Sequence, residues 1–159
     1  MKKVVFFVAL MVLANTAYAE GIDAKRLYVG GGLGFNSSPG VGSARGFQFF
    51  GGYTFNFKLN DDISSALELG YTDSGKFDQI NTSFKTNAAT GAWLSMLESV
   101  PLSNKTDMLV RLGYDFGDDD GLILGTGLQY NFDTKVAMRM EYVAREHING
   151  LQANVLVRF

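Results

Sequence analysis

The sequence predicts an all-β domain, an eight-stranded antiparallel up-and-down transmembrane β-barrel. Three observations predict it. Beyond the first twenty or so residues the chain falls into eight segments in which apolar residues alternate with small or polar ones. Most of these segments are close to the roughly 9 to 11 residues that a tilted strand needs to cross a bilayer. The composition, with 19 glycines, 2 prolines and 13% aromatic residues, suits twisted and tightly curved strands.

The N-terminus reads differently from the rest. Lys2 and Lys3 precede an unbroken apolar run from Val4 to Ala14, and Ala17 and Ala19 give the small-x-small pattern of a signal peptidase site. The run is too short to span a bilayer. Residues 1–19 are therefore expected to be a cleaved secretory signal peptide, with a mature barrel domain of residues 20–159 starting at Glu20. Cleavage removes two lysines and leaves a net charge near −4, which argues against nucleic acid as a partner. With no cysteine there is neither a disulfide framework nor a lipidation site.

The strand segments are placed at Lys25 to Phe35, Ala44 to Phe57, Asp62 to Thr72, Thr86 to Glu98, Lys105 to Asp115, Gly121 to Phe132, Thr134 to Arg145 and Gly150 to Phe159. In the first, Leu27, Val29, Leu33 and Phe35 oppose Arg26, Gly30, Gly32 and Gly34. Its "YVGGGLGF" looks superficially like a nucleotide loop, but no helix follows and its glycines alternate with apolar residues. The fourth segment is the ambiguous one, because Trp93 and Leu94 compete for the outside. In the seventh, Val136, Met138, Met140 and Tyr142 oppose Arg139, Glu141 and Arg145. A membrane barrel turns the apolar set towards lipid and the other set into the lumen.

The connections are expected to alternate in length. Asn36 to Ser43 and Asp73 to Ser83 read as long loops, whereas Lys58 to Asp61 and the single Asp133 read as tight turns. Outward aromatics sort into two belts, with Phe35, Tyr71, Tyr114 and Tyr142 at one surface and Phe55, Phe57, Tyr130, Phe132 and Phe159 at the other. The final strand, "QANVLVRF", carries the alternation to the last residue.

The lumen set is charged: Arg26, Glu68, Asp107, Arg111, Arg139, Glu141 and Arg158. Eight strands enclose a space that side chains can just fill, so Glu68, Arg111, Arg139 and Glu141 are expected to meet at mid-height as a lumen charge cluster. His147, the one histidine, falls in the loop "REHING" and reads as exposed. "GDDDG" at Gly117 to Gly121 lacks the alternating carboxylates of an EF-hand and reads as a solvated hairpin tip. No catalytic residue, metal ligand or cofactor is expected.

The stretches "LVRLGYDFGDDDGLILGTGLQYNF" and "MRMEYVAREHINGLQANVLVRF" resemble the small outer-membrane β-barrel family that includes OmpA and OmpX. The resemblance covers essentially the whole mature chain. It implies the outer membrane of a Gram-negative bacterium, a monomer in contact with outer-membrane lipid and lipopolysaccharide, and passage through the secretion and barrel-assembly machinery. It also implies a C-terminal assembly signal of the form polar-x-Gly-x-x-apolar-x-aromatic. Gln152, Val157 and Phe159 match that signal, and Asn154 stands where it has glycine. The expected role is structural or surface-related with a closed lumen. The alternatives are a small-conductance pore and, less favoured, a lipid A-modifying enzyme, whose His-x-Ser pattern is replaced here by His147-Ile148-Asn149.

Overall fold

A computed structural model describes residues 23–55, 63–79 and 88–159. The expected signal peptide, Phe57 and the Lys58 to Asp61 turn lie outside the described residues. A 3-10 turn at Ala24–Arg26 leads into β1 (Leu27–Ser38), β2 (Gly42–Thr54), β3 (Ser64–Asp73), β4 (Asp78–Gln79), β5 (Thr90–Pro101), β6 (Thr106–Asp115), β7 (Gly121–Asn131), β8 (Val136–Ala144) and β9 (Asn149–Arg158). Each pairing is antiparallel, and β1 pairs with both β2 and β9, so the eight long strands close into a ring. The two-residue β4 lies outside the ring's sequence and pairs with the end of β2. Stepping from Leu27 through the paired residues of all eight strands returns to β1 at Ser37, ten residues along. That stagger gives strands tilted by about 35–45° around a narrow lumen.

Alternation decides what each side chain meets. Outward residues such as Leu33, Phe35, Leu112, Leu122, Leu124, Val155 and Phe159 are exposed from the bare chain, an apolar surface that only lipid covers without penalty. The outward hydroxyl of Thr126 donates to the Leu109 carbonyl at 3.0 Å and so brings no unpaired donor into hydrocarbon. Aromatic pairs mark both ends. Tyr53 with Phe55 and Tyr130 with Phe132 lie at the end carrying the termini, and Tyr114 with Phe116 lies at the far end.

Inside, large side chains are accommodated by glycines on the neighbouring strand. Trp93 lies against Gly70, its partner across the β3–β5 pair, and a Cβ there would collide with the indole. This vacant space explains why Trp93 is inward at 2% exposure while Leu94 faces out, the choice that the sequence left open. Tyr28 covers Gly52 and Phe50 covers Gly30 in the same way.

Three expectations are corrected. The loop expected at Asn36 to Ser43 is a tight turn, because β1 runs on to Ser38 and β2 begins at Gly42. Gly40, at φ 76°, supplies the left-handed turn residue. The fourth segment begins at Thr90 rather than Thr86. Arg26 precedes the barrel wall and pairs with Asp23 at 3.3 Å instead of entering the lumen.

Candidate functional site: the lumen charge cluster

Glu68 on β3, Arg111 on β6 and Arg139 with Glu141 on β8 all occupy inward positions, and the structure brings the four together. Arg111 meets Glu141 side-on, with Nε to Oε1 and Nη2 to Oε2 both at 3.0 Å. Its Nη1 stands 2.7 Å from Glu68 Oε2 and donates to Ser95 Oγ at 2.6 Å. Arg139 Nη1 donates to Glu68 Oε1 at 2.7 Å and lies 3.7 Å from Glu141 Oε2. Both carboxylates are fully buried. The set is two cations alternating with two anions, so its net charge is zero and each ion faces an opposite one on two sides. That arrangement offsets the several kcal/mol that each buried ion loses in hydration.

Neutral groups complete the layer. Tyr28 OH donates to Glu68 Oε1 at 2.6 Å, and Gln129 Oε1 accepts from Arg139 Nε and Nη2 at 3.3 and 3.1 Å. The Arg111 guanidinium lies 5.0 Å from the Trp93 ring and that of Arg139 lies 5.4 Å from Phe50, so aromatic faces cover the planes that lack hydrogen-bond partners. Tyr28, Gln129, Ser95 and Trp93 were absent from the expected cluster. The parity of β1 and β7 already placed Tyr28 and Gln129 inside, but a search by charge passes over phenols and amides.

On the terminal side of this layer the lumen widens into a cavity of about 160 Å³, lined among others by Thr54, Ser64, Ser99, Asp107 and Arg158. Asp107 accepts from Asn131 and Gln129 at 2.8 and 3.3 Å, and Arg158 donates to Asn131 at 2.8 Å. On the far side Gln48 bonds to Gln152 and Asn154. Above these comes a second buried ion pair, Arg145 Nε with Asp115 Oδ2 at 3.2 Å. Burial lowers the pKa of Arg145, against the opposing pull of Asp115 and Asp119. At that end Ala44, Phe77 and Ile148 form a buried apolar cluster, with Val41 and Ala89 packed against it.

The hairpin expected to be solvated is only partly so. Asp119 is buried, and its Oδ1 accepts the His147 backbone N–H and faces His147 Nδ1, both at 3.0 Å. The His147 ring itself is exposed. Of the residues expected to form an assembly signal, Gln152 and Asn154 turn into the lumen while Val157 and Phe159 face outward.

The sequence matches the model of the outer membrane protein β-barrel domain family over residues 5–158. The chain belongs to this family. The family and the closed ring together place it in the outer membrane as a barrel. No curated protein matches the sequence. Among solved structures, a de novo designed transmembrane β-barrel is 14% identical over 85% of this chain and 96% of its own, with a TM-score of 0.59. The Yersinia pestis outer membrane protein Ail in a phospholipid nanodisc is 14% identical over 83% of this chain and 99% of its own, with a TM-score of 0.55. Neisserial surface protein A is 18% identical over 84% and 97%, with a TM-score of 0.50. At these identities the likeness is one of fold.

Proposed function

We propose that the protein is a monomeric, non-enzymatic outer-membrane barrel of a Gram-negative cell, delivered by a cleaved signal peptide, with a closed lumen and a structural or surface role. The observation that carries this reading is the central layer, where Glu68, Arg111, Arg139, Glu141 and their aromatic covers fill the cross-section. An ion crossing there must displace four mutually paired charges. With the termini on the periplasmic side, Gln152, Asn154, Val157 and Phe159 serve as the assembly signal during insertion, and the outward face contacts outer-membrane lipid and lipopolysaccharide.

Single-channel recording in a planar bilayer tests the closed lumen. No discrete conductance steps are expected from the wild type, and regular steps would overturn the reading. The rival is a small-conductance pore, favoured by the 160 Å³ cavity that reaches up to Arg139 from one side. It requires the central pairs to exchange partners. Unchanged lipid A masses on expression are expected for a barrel without lipid A-modifying activity.

A further inference from the structure

Ser64, Ala66, Leu97 and Ser99 line the lumen cavity, so alternation turns Ser65 on β3 and Glu98 on β5 to the outer surface. The two are direct partners across the β3–β5 pair, and the Ser65 hydroxyl donates to Glu98 Oε2 at 2.8 Å. The other outward neighbours of Glu98 are Met96 and Val100 along its own strand and Val110 across the pair with β6. All three are apolar. Among the described residues, no other outward position of β5 to β9 carries a charge.

The pairing also fixes the depth of Glu98. Phe55, in the aromatic belt at the terminal end, donates its N–H to the Ser65 carbonyl, and Ser65 pairs with Glu98, so the three lie on one row that starts at the belt. The stagger that returns Leu27 to Ser37 makes each step along such a row climb towards the far end. Glu98 stands two steps above Phe55, just inside the belt, with Val100 between it and the terminal surface. A carboxylate at this boundary between headgroups and hydrocarbon is costly unless it is paired. It can accept about four hydrogen bonds, of which Ser65 gives one.

We propose that Glu98 and Ser65 hold the primary ammonium of an ethanolamine-type phospholipid headgroup in the leaflet at the terminal end. A primary ammonium brings a positive charge and three donors, and its bonds to a carboxylate are charge-assisted. A serine hydroxyl that donates to the carboxylate also accepts, so the pair presents oxygens from two strands to one cation. The position selects a lipid-borne ammonium over a free amine, because Leu67 and Leu69 on β3 and Met96 and Leu94 on β5 continue towards the midplane as an exposed apolar surface for the acyl chains. This rests on the outer-membrane reading, deepens its lipid contact and is separable from the closed lumen, which conductance alone reads.

The test uses the full chain and its Glu98→Gln variant, folded into phosphatidylcholine vesicles with and without a fraction of phosphatidylethanolamine of the same acyl chains. The quaternary choline headgroup has no N–H to donate, and glutamine keeps the size of the side chain without its charge. Thermal unfolding is followed by loss of the heat-modifiable band on gels, which both chains are expected to show in both lipids, so the headgroup contact is read apart from membrane insertion. A ligand of the folded state raises its unfolding temperature. The ethanolamine lipid should therefore raise the wild type by several degrees relative to Glu98→Gln, by an amount that shrinks with added salt, whereas in pure phosphatidylcholine the variant should be no less stable than wild type. An equal response of the two chains to phosphatidylethanolamine would overturn the proposal. So would a variant weakened equally in both lipids, which would make Glu98 a partner within the barrel. The same gain from free ethanolamine in phosphatidylcholine vesicles would reassign the site to a free amine and overturn its lipid specificity.

Discussion

The side-chain amide of Gln48 on β2 donates to Asn154 Oδ1 on β9 at 2.9 Å, across a strand that lies between them. The bridge is possible because β1 offers the lumen only Gly30, Gly32 and Gly34 over this stretch, so nothing stands in the way. The same Nε2 reaches Gln152 Oε1 at 2.8 Å. The seam between the first and last strands is thus fastened from one strand further along. Gln48→Leu leaves two buried acceptors without their donor, a loss of about 1–3 kcal/mol for each group left bare. A lowered urea midpoint with an unchanged slope is the expected result; a midpoint equal to wild type would mean that water replaces the amide.

Arg139 holds Glu68 and stands near Glu141, and both carboxylates are fully buried. Arg139→Leu removes one of two cations from a neutral set of four and leaves a net buried negative charge. The expected destabilisation is about 3–5 kcal/mol. Urea unfolding in vesicles measures it. An unchanged midpoint would show that the layer is hydrated, and a parallel gain of conductance would favour the pore reading.

The strands and lumen parity were legible in the sequence because alternation is a property of single residues. Gly30, Gly32 and Gly34 against Leu33 and Phe35 declare the two faces of β1 without reference to any neighbour. What was not legible depends on pairs. Whether Trp93 or Leu94 turns inward is decided by Gly70 on the adjacent strand, and the register between the two strands is needed before that glycine can be recognised as the vacancy. Likewise Asp119 reads as a loop carboxylate until the β8–β9 hairpin brings His147 over it. The four charges of the central layer lie between them on three strands, yet their parity and mid-strand position sufficed to group them.

Gly70 supplies a direct measurement of that packing. A Cβ at this position collides with the Trp93 indole, whose ring already fills the lumen wall to 2% exposure. Gly70→Ala is expected to destabilise by about 1–3 kcal/mol through overpacking. In a Trp93→Leu background the same change should have a smaller effect, since the colliding ring edge is absent and the two sites couple. Equal penalties in both backgrounds would locate the strain in the backbone instead.

Outside the membrane, Asp133 holds the β7–β8 hairpin. Its Oδ1 accepts the N–H groups of Val136 and Lys135, both at 2.7 Å, and these bonds hold its carboxyl below the usual carboxylate range. A depressed folded pKa contributes stability that is present above the unfolded value of about 3.9 and is lost as pH falls through the folded one. Amide exchange at Lys135 and Val136, corrected for its intrinsic pH dependence, should lose protection below that window. In Asp133→Asn protection should be lower throughout and show no such step.

Phe159 closes the chain at the terminal belt, where its ring faces lipid and its backbone N–H donates to the Leu27 carbonyl at 3.2 Å. The folded barrel therefore loses little when it is deleted: one hydrogen bond at the frayed edge of the seam, worth about 0.5–1.5 kcal/mol, and one belt side chain of about 1.5–3 kcal/mol. All ten pairs of the β1–β9 ladder, all nine of the β8–β9 ladder and the Gln48 bridge are untouched. In an assembly signal the same residue has a second role, because it is read before the strand is paired. Gln152 and Asn154 are buried against Gln48 once the ring closes, so the proposed signal requires that their side chains be recognised before closure. Deleting Phe159 should accordingly leave refolding into lipid vesicles nearly intact in vitro while sharply lowering the amount inserted in cells. Equal losses in both settings would mark Phe159 as one more lipid-facing side chain, and normal insertion in cells would remove it from the signal altogether.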